Sequence, residues 1–546
     1  MFIRRCFNQS IYDCGKVIAA RSLTLEELSM QLRGTKASIM QLAKALGLAA
    51  LAGLAHIIAG TQMAEAGGVL KVGIYTDLNG FDIVKVRAFG PGGQFIVSSI
   101  MEGLFAYDYD RGNVIVPRLA LNFNEAPDRM SVVVKLRPGV TFHDGTPFNA
   151  AAVVYHFDRI LDPKSGLNVK ETMFGPLTKV EEVDDLTVRF VLNRPWAALQ
   201  SVLAVDQGVN MIGSPTALKA DPEGFNRHPV GTGAFSFAEW QHGDHLTVKR
   251  YTSYWDRQLP YLDEVVYRVI PDENTRFQAL RGNDLDIAWI DNPQQIEVAR
   301  KIPELKVWEN KGTSALIWIL NTTRPPFDDV RARAAVVHAF NGQALVNGYF
   351  GGDASVAKEF FPNSEWACPN LRWRGYDLEA SKAYLKQLGG KLEFTLNGYA
   401  TPASRRASSI AQEFFGQAGI KADIKLLDPT QNTHLGLTGD FQMIQWRFSD
   451  FGGDPELYIQ SASITTTRFQ SREVDALLDR ARSEQSHEAR RDLYCQISQI
   501  YADQAIMIMP DHTFDFLVGK SYVENVPRNV GNLLRVRSVS LAEGHR

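Results

Sequence analysis

The stretch from His228 to Trp255 constrains this chain more tightly than any other. Pro229, Gly231 and Gly233 bracket Val230 and Thr232, a spacing that builds a tight loop where the backbone needs torsions that glycine takes cheaply. Ala234 to Trp240 then alternates like a strand, with Phe235, Phe237 and Glu239 on one face and Ser236, Ala238 and Trp240 on the other. His242-Gly243-Asp244 reads as a hairpin turn, and Leu246, Val248 and Arg250 continue on a return strand. The expectation is a glycine-bent β-hairpin packed into a core and followed by the pair Tyr254-Trp255.

A chain of 546 residues is too long for one compact core, so two or three domains are expected. Hydrophobic residues at 45% and charged residues at 22% are the proportions of a globular protein, which argues against broad disorder. The long apolar run at 45–60 is shorter than the ~20 residues of a membrane-spanning helix and is broken by His56. Arg33, Lys36 and Lys44 precede it and Ala64-Glu65-Ala66 follows, the order of a secretory leader cleaved near Ala66. A membrane anchor or buried helix is the competing reading. The export route stays open, because Arg4-Arg5 lies too far from the apolar run for a twin-arginine leader. Initiation near Met30 or Met40 would account for the extra N-terminal residues.

Without residues 1–66 the chain keeps 51 Lys/Arg against 57 Asp/Glu, a net charge of −6, which favours solubility and gives no sign of nucleic-acid binding. Cys6 and Cys14 would leave with the leader; Cys368 and Cys495 are then either a disulfide or two buried thiols.

In chain order, Val69–Ile74 reads as a strand, 95–104 as a helix with Ile96, Ile100 and Leu104 on one face, and 130–136 as a strand. Asn149 caps a helix over 150–160. After the hairpin, 265–270, 274–280 and 285–290 form a strand–helix–strand unit of a mixed sheet. Its carboxyl end carries Trp289 and Asp291, where open α/β sheets present ligand contacts. Residues 311–514 read as a second α/β lobe, with strands at 316–320, 392–396 and 440–446 and helices at 330–340, after Asp377, from Ser404 and between Ser471 and Asp503. Segments near 310 and 512 cross between lobes and make a natural hinge.

Four motifs in order carry a resemblance. Besides His228–Trp255 they are Phe142-His143-Asp144-Gly145-Thr146-Pro147-Phe148, Pro326-Phe327-Asp328-Asp329-Val330-Arg331, and Trp446 through Asp454-Pro455. Over about residues 70–540 the chain resembles the family 5 extracellular solute-binding proteins of ABC importers, whose members include dipeptide, oligopeptide, nickel and glutathione receptors. The resemblance implies a large class II, two-lobed periplasmic-binding-protein fold of α/β type with a small domain inserted in the first lobe. The expected division is a leader at 1–66, lobe I at 67–105 and 210–310, the inserted domain at 106–209, lobe II at 311–512, and a C-terminal return to lobe I at 513–546.

It also implies a periplasmic monomer that binds a peptide or related amine-bearing solute between the lobes and hands it to an inner-membrane permease with its ATPase. A nickel chelate, opine or sugar is the alternative cargo, and a chemosensory receptor the alternative role. Asp450 is the expected partner of the ligand ammonium, with Asp454 as its alternative, because a desolvated cation needs a fixed counter-charge. Trp446, Tyr399, Thr401 and Trp289 are expected around the ligand, with Asp77 and Asn321 at strand ends. The dipeptide receptors' carboxylate-binding Arg has no counterpart in 397–403, which leaves Arg405 or its neighbour Arg406 as candidate and puts strict dipeptide specificity in doubt.

Enzyme signatures are absent: there is no Gly-x-Ser-x-Gly, His-Glu-x-x-His or Cys-x-x-Cys, and Gly519-Lys520-Ser521 lacks the upstream glycine of a phosphate-binding loop. No motif calls for a cofactor or a metal. The pair His143-Asp144 reads as part of a turn, and His242 and His245 merely flank one.

Overall fold

The computed structural model describes residues 67–83, 96–165, 174–205, 208–352, 354–361, 364–449, 453–456, 459, 467–528 and 534–545. The expected leader, residues 1–66, and Asp450 lie outside them.

A twelve-stranded sheet runs through the fold. From one edge its path is Lys421–Leu427, Glu393–Tyr399, Met443–Ser449, Leu305–Leu320, Asp511–Lys520, Ile287–Trp289, Val69–Ile74, Glu264–Val269, His245–Arg250 and Phe235–Gln241. Ala354–Val356 and Met507–Ile508 pair off this path. The strand Leu305–Leu320 changes partners along its length. Leu305–Asn310 pairs with Asp515–Lys520, the register shifts between Asn310 and Ser314, and Ser314–Leu320 pairs with Met443–Ser449.

The apolar cores divide at the same place. One side of the crossing packs Leu70, Val72, Phe235, Val265 and Tyr267 in one cluster and Phe277, Leu280, Ile290 and Val518 in another. The other side packs Trp318, Phe340, Leu396 and Phe415 on one sheet face and Ile317, Ile444, Ile497 and Tyr501 on the opposite face. Each half therefore has its own core, joined through two long strands. The expected start of lobe II at 311 falls inside one of them.

The signature turn owes its glycines to close approach. A Cβ on Gly231 would meet the Ile100 carbonyl oxygen at 2.1 Å, and one on Gly233 would meet that of Ser99 at 2.4 Å. The Gly233 amide donates to the Ile100 oxygen at 2.8 Å. This packing ends the preceding helix at Ile100, so the expected helix over 95–104 stops four residues early and Glu102 joins a bridge to Ile212. The hairpin strands are found at Phe235–Gln241 and His245–Arg250, but a bulge between Phe237 and Glu239 breaks the expected alternation. Phe237 and Trp240, expected on opposite faces, both stack edge-on against Phe81, at 6.3 and 5.8 Å. His143 belongs to the same turn: its Nε2 lies 2.9 Å from the Gly233 oxygen, and its Nδ1 accepts from the Gly231 amide at 3.4 Å.

Between Val69–Ile74 and the hairpin the chain builds a separate four-stranded antiparallel sheet from Asn124–Glu125, Ser131–Lys135, Thr187–Leu192 and Leu177–Asp184. The helix Ala150–Leu161 covers it, capped by the Asn149 side chain as expected. On this helix the buried His156 places Nε2 2.7 Å from the Val209 oxygen, and burial depresses its pKa to about 4. An unfolded His titrates near 6.5. The unfolded chain thus takes up a proton that the native site resists. This contribution is fully present above pH ~6.5 and is lost as the pH falls toward ~4, up to about 3 kcal/mol. Urea titrations of the wild type and of His156→Gln at pH 7 and pH 4.5 should show a smaller acid loss in the variant. Equal losses would contradict this role.

Cys368 and Cys495 form a disulfide, with Cα atoms 5.5 Å apart, which decides between the two readings of this pair. It ties the irregular segment around Trp366 to the helix His487–Gln504.

Candidate functional site

Carboxyl ends of strands from both halves converge where the sheet crosses between them. From the first half come Tyr75, just past Val69–Ile74, and Trp289 with Asp291 at the end of Ile287–Trp289. Their rings meet edge-on at 5.6 Å, and the Trp289 indole N–H donates to Asp291 Oδ1. Arg276 and Glu273, on the helix Glu273–Arg281, hold this loop from beneath. Arg276 Nε donates to the Trp289 carbonyl at 2.8 Å, while Glu273 Oε1 accepts the amides of Asp291 and Asn292 at 2.5 and 2.6 Å. Burial, reinforced by the Asp291 carboxylate, pushes the Glu273 carboxyl up.

The second half answers with Arg447 of the strand Met443–Ser449. Its guanidinium lies over the Trp289 ring, 5.3 Å from the centroid, and its Nη1 is 4.0 Å from Asp291 Oδ2. The pair is 30% and 34% exposed, so water and solutes can reach it. Tyr399 and Tyr349 stand close by. Burial raises the Tyr399 hydroxyl to about 12, against the opposing pull of Asn432 and Arg447. The Tyr349 hydroxyl is raised by burial and by Asp291, while Arg406, over its ring at 5.6 Å, counteracts them. The buried Asp511, first residue of Asp511–Lys520, is also pushed well up by burial, and Arg447 opposes that shift. The result is an aromatic frame around a guanidinium and a carboxylate from opposite halves, suited to gripping a polar solute.

Of the residues expected from sequence, Trp289 and Tyr399 join this group. Thr401 stands beside it as the N-cap of Pro402–Gln417, its Oγ1 accepting the Ser404 amide at 3.2 Å. Four others have different places. Asp77 pins the hairpin tip, accepting from the Gly243 amide at 2.6 Å and the Trp240 indole at 3.0 Å, with His242 at 2.9 Å. Asn321, buried at the far end of Leu305–Leu320, donates to the Gly439 and Phe441 carbonyls at 2.9 and 3.1 Å. Trp446 belongs to the opposite core and abuts Gly436, because side chains one residue apart on a strand take opposite faces. Arg405 is exposed, whereas its neighbour Arg406 covers Tyr349. Asp454, the alternative to Asp450, is buried within the second half, 2.5 Å from the Tyr494 hydroxyl and 3.1 Å from Arg490. The group also contains Tyr75, Glu273, Arg276, Tyr349 and Arg447, which sequence reading did not single out. An Arg set between Trp446 and Phe448 on a strand was the one available signal.

The family model for bacterial extracellular solute-binding proteins, family 5 Middle, matches residues 114–469. The chain belongs to this family. It is 31% identical over 382 residues to the glutathione-binding protein GsiB of Pectobacterium atrosepticum, covering 69% of this chain and 72% of the relative. To GsiB of Shigella flexneri it is 30% identical over 389 residues, 70% and 74% of the two chains. Among solved structures, the periplasmic binding protein DppA from Helicobacter pylori, in complex with peptide STSA, superposes with a TM-score of 0.81 at 24% identity, over 88% of this chain and 99% of that one. AgaA from A. tumefaciens R10, in complex with agropinic acid, gives 0.80 at 24% identity, over 88% and 99%. These likenesses establish the two-lobed fold. This family 5 protein is accordingly a solute-binding component of ABC import, and its relatives are binding proteins rather than enzymes.

Proposed function

We propose that this family 5 protein captures a peptide or related amine-bearing solute between its halves, at Tyr75, Trp289, Asp291, Tyr399 and Arg447, and presents it to an inner-membrane permease. The leader is removed near Ala66, and the mature protein works as a periplasmic monomer. The observation that carries this reading is the Arg447–Asp291 pair, which places opposite charges from the two halves 4.0 Å apart over the Trp289 ring. At that separation each group lies beyond a direct hydrogen bond to the other, so a ligand's charged groups gain more from them than the pair loses. Glutathione, in the names of the curated relatives, and the peptide in a structural neighbour are solutes with ammonium and carboxylate groups. Because the ligand touches both halves only when they close, binding shifts the equilibrium toward closure.

Isothermal titration of glutathione and trialanine into the purified protein tests this. Binding is expected for at least one probe. Arg447→Met should raise its Kd roughly thirtyfold, about 2 kcal/mol for a lost charge-assisted hydrogen bond. An unchanged Kd would remove Arg447 from the site.

A further inference from the structure

A second set of contacts crosses between the halves, away from the aromatic group. It joins the separate four-stranded-sheet segment of the first half to the C-terminal end of the helix Arg472–Ser483 in the second. Glu456, 1% exposed, accepts the Trp196 indole N–H on Oε2 at 2.8 Å and the Arg482 Nε–H on Oε1 at 2.6 Å. The Ala197 amide donates to the Arg482 carbonyl at 2.8 Å, and Arg129 Nη1 donates to the Ser483 carbonyl at 2.7 Å. Arg194 Nη1 lies 3.1 Å from Asp479. A Cβ on Gly453 would fall 2.4 Å from the Tyr107 hydroxyl, so backbone and ring are in close contact there too.

The last carbonyls of any helix lack intrahelical donors and carry the negative end of its dipole. Here those carbonyls are capped by an amide and a guanidinium of the other half. Separating the halves would return them to water, while Glu456 would keep its ion pair with Arg482, since both belong to the second half. Opening therefore strands no unpaired buried charge, which is what a contact that must form and break repeatedly requires.

We infer that Trp196, Arg129 and Ala197, closing on Glu456 and the end of Arg472–Ser483, form a latch that holds the two halves together independently of the ligand cluster. It sets the closed fraction of the empty protein and the residence time of a bound solute. The inference goes beyond the proposed ligand and is tested without one.

Nitroxide labels at Val183→Cys and Leu437→Cys, both exposed and on opposite halves, report the distance between halves by electron–electron double resonance, with the Cys368–Cys495 bond left oxidised. In the ligand-free protein, Trp196→Phe replaces the indole with a smaller phenyl ring and removes the donor, and Arg129→Met removes the carbonyl cap. Each is expected to raise the population at longer distance about tenfold, with circular dichroism unchanged. Arg129→Met keeps the test decisive if Trp196→Phe folds poorly. A distance distribution in Arg129→Met identical to that of the parent would overturn the latch, whatever the protein proves to bind.

Discussion

Serine at both Cys368 and Cys495 is expected to cost ~5 kcal/mol of stability in the second half, the chain-entropy value for a closed loop of this length. The bond spans 127 residues, so its loss frees a large part of the unfolded chain. It also anchors a segment with little regular backbone pairing, where Trp366 is 4% exposed beneath Arg490 and Glu359 accepts the Cys368 amide at 2.6 Å. Hydrogen exchange with and without reductant should show faster opening centred on 364–372 and the helix His487–Gln504. Exchange unchanged by reduction would contradict the assignment.

The second large effect falls on Glu102, 4% exposed beneath the signature hairpin. Its Oε1 meets Arg118 Nη2 at 2.7 Å and the Tyr254 hydroxyl at 2.8 Å; its Oε2 meets the Trp255 indole N–H at 2.8 Å and Thr232 Oγ1 at 3.3 Å. One carboxylate thus satisfies four donors from three parts of the chain, and this explains what the Tyr254-Trp255 pair does. Glu102→Ala leaves Arg118 buried without its counter-charge and is expected to destabilise the first half by about 4 kcal/mol. Denaturant midpoints measure this directly, and Glu102→Gln should lose less because it still accepts hydrogen bonds. A midpoint for the Ala variant within error of the parent would rule the network out as a stabilising element.

Much of the skeleton was legible because it rests on local rules. The Asn149 and Asp377 caps, the glycine-bent hairpin and the strand–helix–strand unit around Glu273–Arg281 all announce themselves within a few residues. Legibility failed where tertiary contact overrides periodicity. The helix expected through Leu104 gives way to the close approach of Gly231 and Gly233, and a bulge inverts the later half of the Phe235–Gln241 strand. In the proposed site, Trp289 and Tyr399 are legible as aromatics at strand ends, and strand parity turns Arg447 rather than Trp446 toward them. Asp77 and Asn321 look like ligand contacts in sequence, but each satisfies nearby backbone amides or carbonyls. Glu273 and Tyr349 could not be found from spacing: Glu273 reaches Asp291 through the packing of its helix on the strand ends of the first half, and Tyr349 comes near Asp291 only because the two halves cross.

The central claim, that opposite charges from the two halves grip a solute, is tested most directly by native mass spectrometry of protein purified from the periplasm. The expected result is a discrete small-molecule adduct on the wild type that vanishes on denaturation and is strongly depleted in Arg447→Met. An adduct of the same mass carried at equal occupancy by Arg447→Met and Asp291→Asn would contradict it.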